Sequence, residues 1–468
     1  MMKRSAIIPI LLCFFLTAAE SGGASAAASG PESGNNASDP AVVTLASGLE
    51  EVSSNGHQVQ ITREEENIAS ADVRLARSGF LPKVNASASH STYAYEIASV
   101  VTAPAPVVSP LGLVIGETMV KEVVPEAPIN FYSYSASIQQ TLFDFRRTIS
   151  RYRESKQVLD NKKFETIRVR NLAALEFAAA YFDLLEAEKL VTVAQQEVDR
   201  LKGHLRDAQN LYDSGAITRN DLLQADVRVK DGAQRLLKAE NGRAIAASRV
   251  NNLLVRPLEK PIRVVDIEYR PGEAPYTLDE AWERALKERP EMQIVEGSLK
   301  ALHLEEIARK ADYFPTFFVQ GGVDYQQNQY LAHDVNWSAT FGVSVNLFSG
   351  GATEAAIART KSQQYQVLKQ RAKLIDDIRL EVQKYALDLS NARERIQVAR
   401  GAADQALENL RINKVRYDAG EGIATEVLDA VTFLTTSENN YIEAIYDFRR
   451  AEAGIYYAVG KDLREVYK

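Results

Sequence analysis

Hydrophobic positions along the chain change their spacing in a repeating order. Ile378, Val382, Tyr385, Leu389, Ala392, Ile396, Ala399, Ala403, Ala406 and Leu410 alternate steps of four and three, a period of 3.5 residues. Ala173, Phe177, Ala180, Leu184, Ala187, Val191, Ala194, Val198, Leu201 and Leu205 repeat the pattern 205 residues earlier. A stripe that returns every seven residues makes paired helices supercoil, and its alanines let their axes approach closely. The other reading of such a stripe is an ordinary long bundle helix. Prolines are absent from 129–256 and 316–468, so helices there can run unbroken. The spacing predicts rods from about Arg146 to Leu211 and from about Gly351 to Tyr417, each roughly 100 Å long at the usual helical rise. Gly215 and Gly420 end the rods. Return helices from near Asn220 to Leu254 and from near Thr425 to Val459 complete two αα-hairpins.

Ahead of each rod the period drops to two. Val335, Trp337, Ala339, Phe341, Val343, Val345 and Leu347 alternate with Asn336, Ser338, Thr340, Gly342, Ser344 and Asn346, which predicts a strand with one apolar and one polar face. Phe317 to Gln326 and Tyr132 to Gln139 alternate in the same way, and Val84 to Tyr95 does so more weakly. Faces of this kind suit a membrane barrel, with lipid on one side and water on the other, or the exposed side of a soluble sandwich. Four strands cannot close a barrel around water, so the barrel reading requires several copies of the chain.

The chain is two copies of one plan. Thr44-Leu45 and Pro82 recur at Thr277-Leu278 and Pro315, 233 residues on, whereas Leu142-Phe143, Tyr212-Asp213 with Gly215, and Leu223 recur at Leu347-Phe348, Tyr417-Asp418 with Gly420, and Leu428, 205 residues on. The offset changes once, by 28 residues, between Pro82 and Leu142, where the first copy holds a Pro, Val and Gly rich insertion around Ala103 to Pro128. Unpaired by any repeat, it is expected to be a loop at the outer ends of the strands.

Composition removes alternatives. The 62 acids against 55 bases give a net charge of -7, which offers no basic field for nucleic acid. Lys3 and Arg4 precede an apolar stretch from Ala6 to Ala19, and Ala24 to Ala28 offer cleavage sites, so 1–28 reads as a cleaved secretory signal and 29–43 as a flexible leader. The lone cysteine, Cys13, follows two leucines inside the signal, where lipid attachment is not expected. Without it the mature chain has no disulfide, thiolate metal site or thiol nucleophile. His57, His90, His204, His303 and His333 are scattered without metal-ligand spacing, and no glycine-rich phosphate loop occurs. No catalytic, cofactor or metal site is expected. His90 and His333 read as pore-facing or loop residues.

In this order of elements the chain resembles the TolC family of outer-membrane efflux and secretion factors. The resemblance rests on the doubled plan, on Pro82 and Pro315 before each first strand, on Leu142-Phe143-Asp144 and Leu347-Phe348-Ser349-Gly350-Gly351 where strand meets rod, and on Gly420 followed by Glu426-Val427-Leu428-Asp429-Ala430. It implies an α+β membrane protein: a homotrimer with a twelve-stranded transmembrane β-barrel, four strands per chain, continued by a long α-helical coiled-coil barrel in the periplasm. A mixed equatorial domain would fall at 41–60, 256–290 and the C-terminal end. The copies are bounded at 44–254 and 277–460, with a linker at 255–276 and a short tail at 461–468. The implied partners are a periplasmic adaptor, an inner-membrane pump of ABC, RND or MFS type, and outer-membrane lipid. The tips at Gly215, Ala216, Ile217, Gly420, Gly422 and Ile423 would dock the adaptor. Glu426 and Asp429, together with Tyr417 and Asp221, would form the periplasmic gate. Gly422 stands where the family pattern leads one to expect a base. Either Arg219 supplies that charge or the resting pore is held less tightly. An adaptor would instead carry one hairpin between β segments, and a purely structural coiled coil would lack the alternating strands.

Overall fold

The structure, a computed structural model, describes residues 41–266, 276–328, 330–331 and 333–468. The signal segment, Cys13 and the leader up to residue 40 lie outside the described residues.

The order of elements doubles as the repeats require. β1 (Ala41–Val43), α1 (Leu45–Asn55), α2 (His57–Ser78) and β2 (Lys83–Thr92) lead through β3 (Ile97–Val108) and β4 (Val114–Ala127) to β5 (Asn130–Phe143), rod α3 (Arg147–Asp213) and return helix α4 (Arg219–Leu253). β6 (Ile262–Val264) joins this copy to α5 (Leu278–Glu288), α6 (Pro290–Lys310), β7 (Thr316–Gln326), β8 (Val335–Ser344), rod α7 (Ala352–Asp418), return helix α8 (Ala424–Ala458) and the short α9 (Leu463–Val466). Each rod is 67 residues and each return helix 35. The rods are therefore roughly 100 Å long. None of the twenty stripe residues is exposed.

Two cores hold the helices together. Phe177, Tyr181, Phe182, Leu184 and Leu185 of α3 meet Leu45, Leu49 and Val52 of α1, Val250 and Leu254, and Leu463 of α9. In the second copy Ile378, Val382, Leu389 and Ile396 of α7 meet Ala281 and Ala285 of α5 and Phe448 and Ile455 of α8. The buried Arg289 bonds Glu291 and Glu381 and lies over the ring of Tyr457, tying the α5–α6 corner to both later helices. β1 pairs with β6. Residues 41–43, assigned above to a flexible leader, are thus a strand with Val43 buried. The expected C-terminal tail contains a packed helix, because Leu463 fills the first core.

One four-stranded antiparallel sheet has the order β2-β5-β7-β8. β2 and β8 are its open edges. The insertion is not an irregular loop: β3 and β4 form a hairpin with its own register, Val100 opposite Val123 and Ala103 opposite Val120. Its strands carry apolar residues at successive positions, so no period-two signal marks them.

Candidate functional site

At the far end of each rod the chain turns by the same device. Gly215 and Gly420 adopt left-handed φ of 79° and 74°. Behind them Gly215 N–H donates to Tyr212 O and Ala216 N–H to Leu211 O, while Gly420 N–H donates to Tyr417 O and Glu421 N–H to Arg416 O. Both are Schellman turns, which satisfy carbonyls at the rod ends.

The starts of the return helices differ. Thr218 caps α4 and Asp221 closes a capping box, its Oδ2 accepting from Thr218 N at 3.0 Å and Thr218 Oγ1 at 2.7 Å. The equivalent cap of α8 is Ile423, which has no side-chain acceptor. Glu426 there approaches Arg416 of the adjoining rod, Nη1 to Oε2 at 3.4 Å, and Glu426 Oε2 is buried with no hydrogen-bond partner among the described residues. Asp429 is exposed one turn further on. Arg219 opens α4, exposed.

Gly422 is closely confined. A Cβ there would stand 3.1 Å from Tyr417 N and 3.3 Å from the Arg416 carbonyl carbon, so the turn that seats α8 against the end of α7 leaves little room for a side chain. The base beside Glu426 is Arg416, inside the rod. Sequence spacing did not single it out, because it reaches Glu426 through space across the turn.

Tyr417 is packed with Ala424 and Val427 in a small cluster at the tip. Its hydroxyl, buried, has no hydrogen-bond partner among the described residues. The structure therefore does not join Tyr417 to Asp221, whose carboxylate serves the capping box. Burial raises the Tyr417 pKa, helped by Asp221, Asp207 and Asp418. Its ring instead lies 5.0 Å, centroid to centroid, from that of the buried His204 on α3. Just above, bidentate pairs Arg235–Glu197 and Arg200–Glu438 bind α3 to α4 and to α8.

At the other end of the rods the middle of the sheet separates an apolar from a polar face, with Phe131 and Phe318 the large apolar residues on the polar side. Registers carry Val84, Ala86, Ala88 and His90 of β2 onto Ile138, Ala136, Tyr134 and Tyr132 of β5. The same face continues through Gly321, Val323 and Tyr325 of β7 to Val335, Trp337 and Ala339 of β8, since alternate residues share a side. The opposite face presents Asn85, Ser87 and Ser89, then Ser133, Ser135 and Ser137, then Gln320, Gly322 and Asp324, then Asn336, Ser338 and Thr340. Ser87 and Ser135 hydroxyls bond across it at 2.7 Å. Among the described strand residues of this face the charged ones are Lys83 and Asp324. His90 is on the apolar face, its ring 4.4 Å from Tyr132, and not on the polar side expected for a pore residue; two residues of the same parity on paired strands must share a face. His333 lies in the connection between β7 and β8.

Among the described residues no group of His, Cys, Asp and Glu could hold a metal, and no helix is long and apolar enough to cross a membrane. Two rod hairpins, one from each copy, joined to one shared amphipathic sheet are an architecture for spanning distance. The family model described as outer membrane efflux protein matches residues 48–255 and 281–461. The chain belongs to that family. Its relatives include the alkaline protease secretion protein AprF of Pseudomonas aeruginosa, 25% identical over 350 residues that cover 70% of this chain and 69% of AprF. Among solved structures, a membrane protein from Pseudomonas aeruginosa superposes with a TM-score of 0.74 at 18% identity, over 90% of this chain and 91% of that one. The CmeC outer membrane channel of Campylobacter jejuni gives 0.74 at 14%, over 89% and 85%. As a member of the outer membrane efflux family the chain is a passive outer-membrane channel of an efflux or secretion system, not an enzyme.

Proposed function

We propose that three copies assemble by pairing β8 of each with β2 of the next, closing twelve strands into a barrel whose hydroxyl and amide face surrounds water. The separation of faces across all four strands carries this reading. A sheet with two open edges and one apolar face is complete only when both are covered. Ile61, Ile68 and Leu75, one heptad apart along α2 and all exposed, supply a second self-association surface, a stripe suited to a neighbouring rod.

In this reading the rods cross the periplasm, and an adaptor docks at Gly215, Ala216, Ile217, Gly420, Gly422 and Ile423. An inner-membrane transporter supplies the energy. Glu426 and Asp429 line the narrow end as two rings of three carboxylates, which favour cations. Tyr417 and Asp221 belong to the same constriction, and Arg416 tempers the charge of the Glu426 ring. The barrel lumen, with one acid and one base per chain, sorts little by charge, so cargo is chosen by the transporter.

The test is electrical. Protein extracted from outer membranes in detergent should migrate as a trimer and give cation-selective single channels in planar bilayers. Glu426→Ala with Asp429→Ala should weaken both that selectivity and block by trivalent cations. Selectivity unchanged in the double variant rejects the gate, and trimer with no conductance rejects the channel.

A further inference from the structure

The β3–β4 hairpin belongs to neither repeat and has no cover among the described residues. At about 3.3 Å per residue its twelve-residue strand reaches roughly 40 Å beyond the sheet. β3, the turn and the start of β4, residues 97–116, include no charged side chain, and the charges of the hairpin, Glu117, Lys121, Glu122 and Glu126, are all on β4. Val100, Val107, Val114, Met119, Val123 and Leu113 are all exposed, and Leu111 at the turn is 88% exposed. An isolated two-stranded ribbon is marginal in water, and one that leaves this many large apolar side chains bare invites association.

Its root is held firmly. Asn328, buried in the β7–β8 connection, donates from Nδ2 to Glu126 O at 2.7 Å, and Tyr330 Oη bonds Glu96 at 3.3 Å. The hairpin is thus braced on its own chain, while its faces stay bare.

Three observations choose the occupant. The hairpin follows β2, the open edge of the sheet, so it rises beside the seam where the neighbouring β8 would pair. Pro104 and Pro106, at alternate positions, remove two donors from one side of β3, which blunts pairing by the edge and leaves the faces for contact. The root lies past Tyr132 and Tyr134 at the end of the sheet's apolar face, where a barrel meets the membrane surface, so acyl chains are not the cover.

Resting on the trimeric channel reading above, we infer that the three hairpins pack on one another through these faces as a collar, continuing the conduit outward from the barrel. The partner of this surface is a second copy of the chain.

The chain's one cysteine is Cys13, so a single new thiol is readable. In intact cells Leu113→Cys should be joined between chains by a short bifunctional thiol reagent, while His333→Cys on the neighbouring connection should not. Amides of 97–127 in the unmodified trimer should exchange slowly. A trimer whose Leu113→Cys labels freely without crosslinking, or whose hairpin amides exchange at once, overturns the collar. So does quenching of a fluorophore at that thiol by nitroxide lipids, which assigns the faces to lipid. Absence of a trimer on the same native gel instead rejects the channel reading itself.

Discussion

Asp221 and Glu426 hold the same position in their two copies, third in a return helix, yet Asp221 closes a capping box and Glu426 faces Arg416 at 3.4 Å. The difference originates one turn earlier, where Thr218 is replaced by Ile423. A hydrocarbon cap cannot accept from the helix start, and the acid that would reciprocate is released toward the rod. Ile423→Thr should restore the box and strengthen the start of α8 by about 1 kcal/mol. Slower hydrogen exchange of the amides at 425–427 is the expected readout, and no change there means the cap was not the determinant.

If Glu426 lines the proposed gate, Arg416 tunes its charge from within the chain. Both partners of its pair with Glu426 are more than a third exposed, so the pair is worth at most about 1 kcal/mol. Arg416→Gln should raise cation over anion permeability by no more than about fivefold, opposite in sign to Glu426→Ala. Equal shifts in both variants, measured by reversal potential, would show that Arg416 acts on the fold of the tip and not on its charge.

The sheet register makes a labelling prediction. Trp337, Phe341, Val343 and Tyr325 share the apolar face, and Asn336, Thr340, Ser344 and Gln326 the polar one. Cysteines at 336 and 340 should react with an impermeant thiol reagent in intact membranes, and those at 337 and 341 should be protected. The reverse order would mean that lipid covers the other face.

Strand meets rod through two left-handed residues in each copy. Phe145 and Arg146 have φ of 49° and 74°, at the positions filled by Gly350 and Gly351 in the second copy. Non-glycine residues pay roughly 1–2 kcal/mol there. Phe145 stacks on Phe314 with centroids 4.7 Å apart, which offsets the strain, whereas the Arg146 side chain is exposed. Arg146→Gly should therefore raise the unfolding free energy by about 1 kcal/mol, and Phe145→Gly should lower it. Detergent-resistant thermal unfolding of the two variants tests the contrast.

That junction also marks how far the residues could be read. Gly350-Gly351 announces a turn and Phe145-Arg146 does not, yet a fixed 205-residue offset carried the inference across, and α3 and α7 begin 205 residues apart. Local rules located what repeats. They missed what depends on contact across the chain: the hairpin at 97–127, whose apolar residues fall on both faces without a period of two, the face of His90, set by its partner Tyr132, and Arg416, whose pairing with Glu426 appears only once the turn at Gly422 brings the two together. The expectation of a gate at Glu426 and Asp429 came from the family resemblance, because an acid on a helix carries no periodic signal.

His204 gives the tip a dependence on pH. It is buried on α3, its Nε2 has no hydrogen-bond partner among the described residues, and its ring meets Tyr417. Burial holds its pKa below the ordinary value, Lys414 of α7 acts in the same direction, and Asp207 of its own helix and Asp418 of α7 oppose them. Asp221 of α4 faces the adjoining Tyr417. The unfolded chain takes up this proton near pH 6.5, whereas the folded tip takes it up only at lower pH. Stability present above about pH 6.5 is therefore lost as the pH falls through the folded value. Amides around 200–210 and 415–430 should exchange faster at about pH 5.5 than at about pH 7.5, after correction for intrinsic rates. His204→Phe keeps a ring against Tyr417 and removes both the proton site and the orphaned nitrogen, so it should abolish the difference and stabilise the tip by roughly 1 kcal/mol. A variant that retains the full acid sensitivity would move the titrating group from His204 to the carboxylates around it.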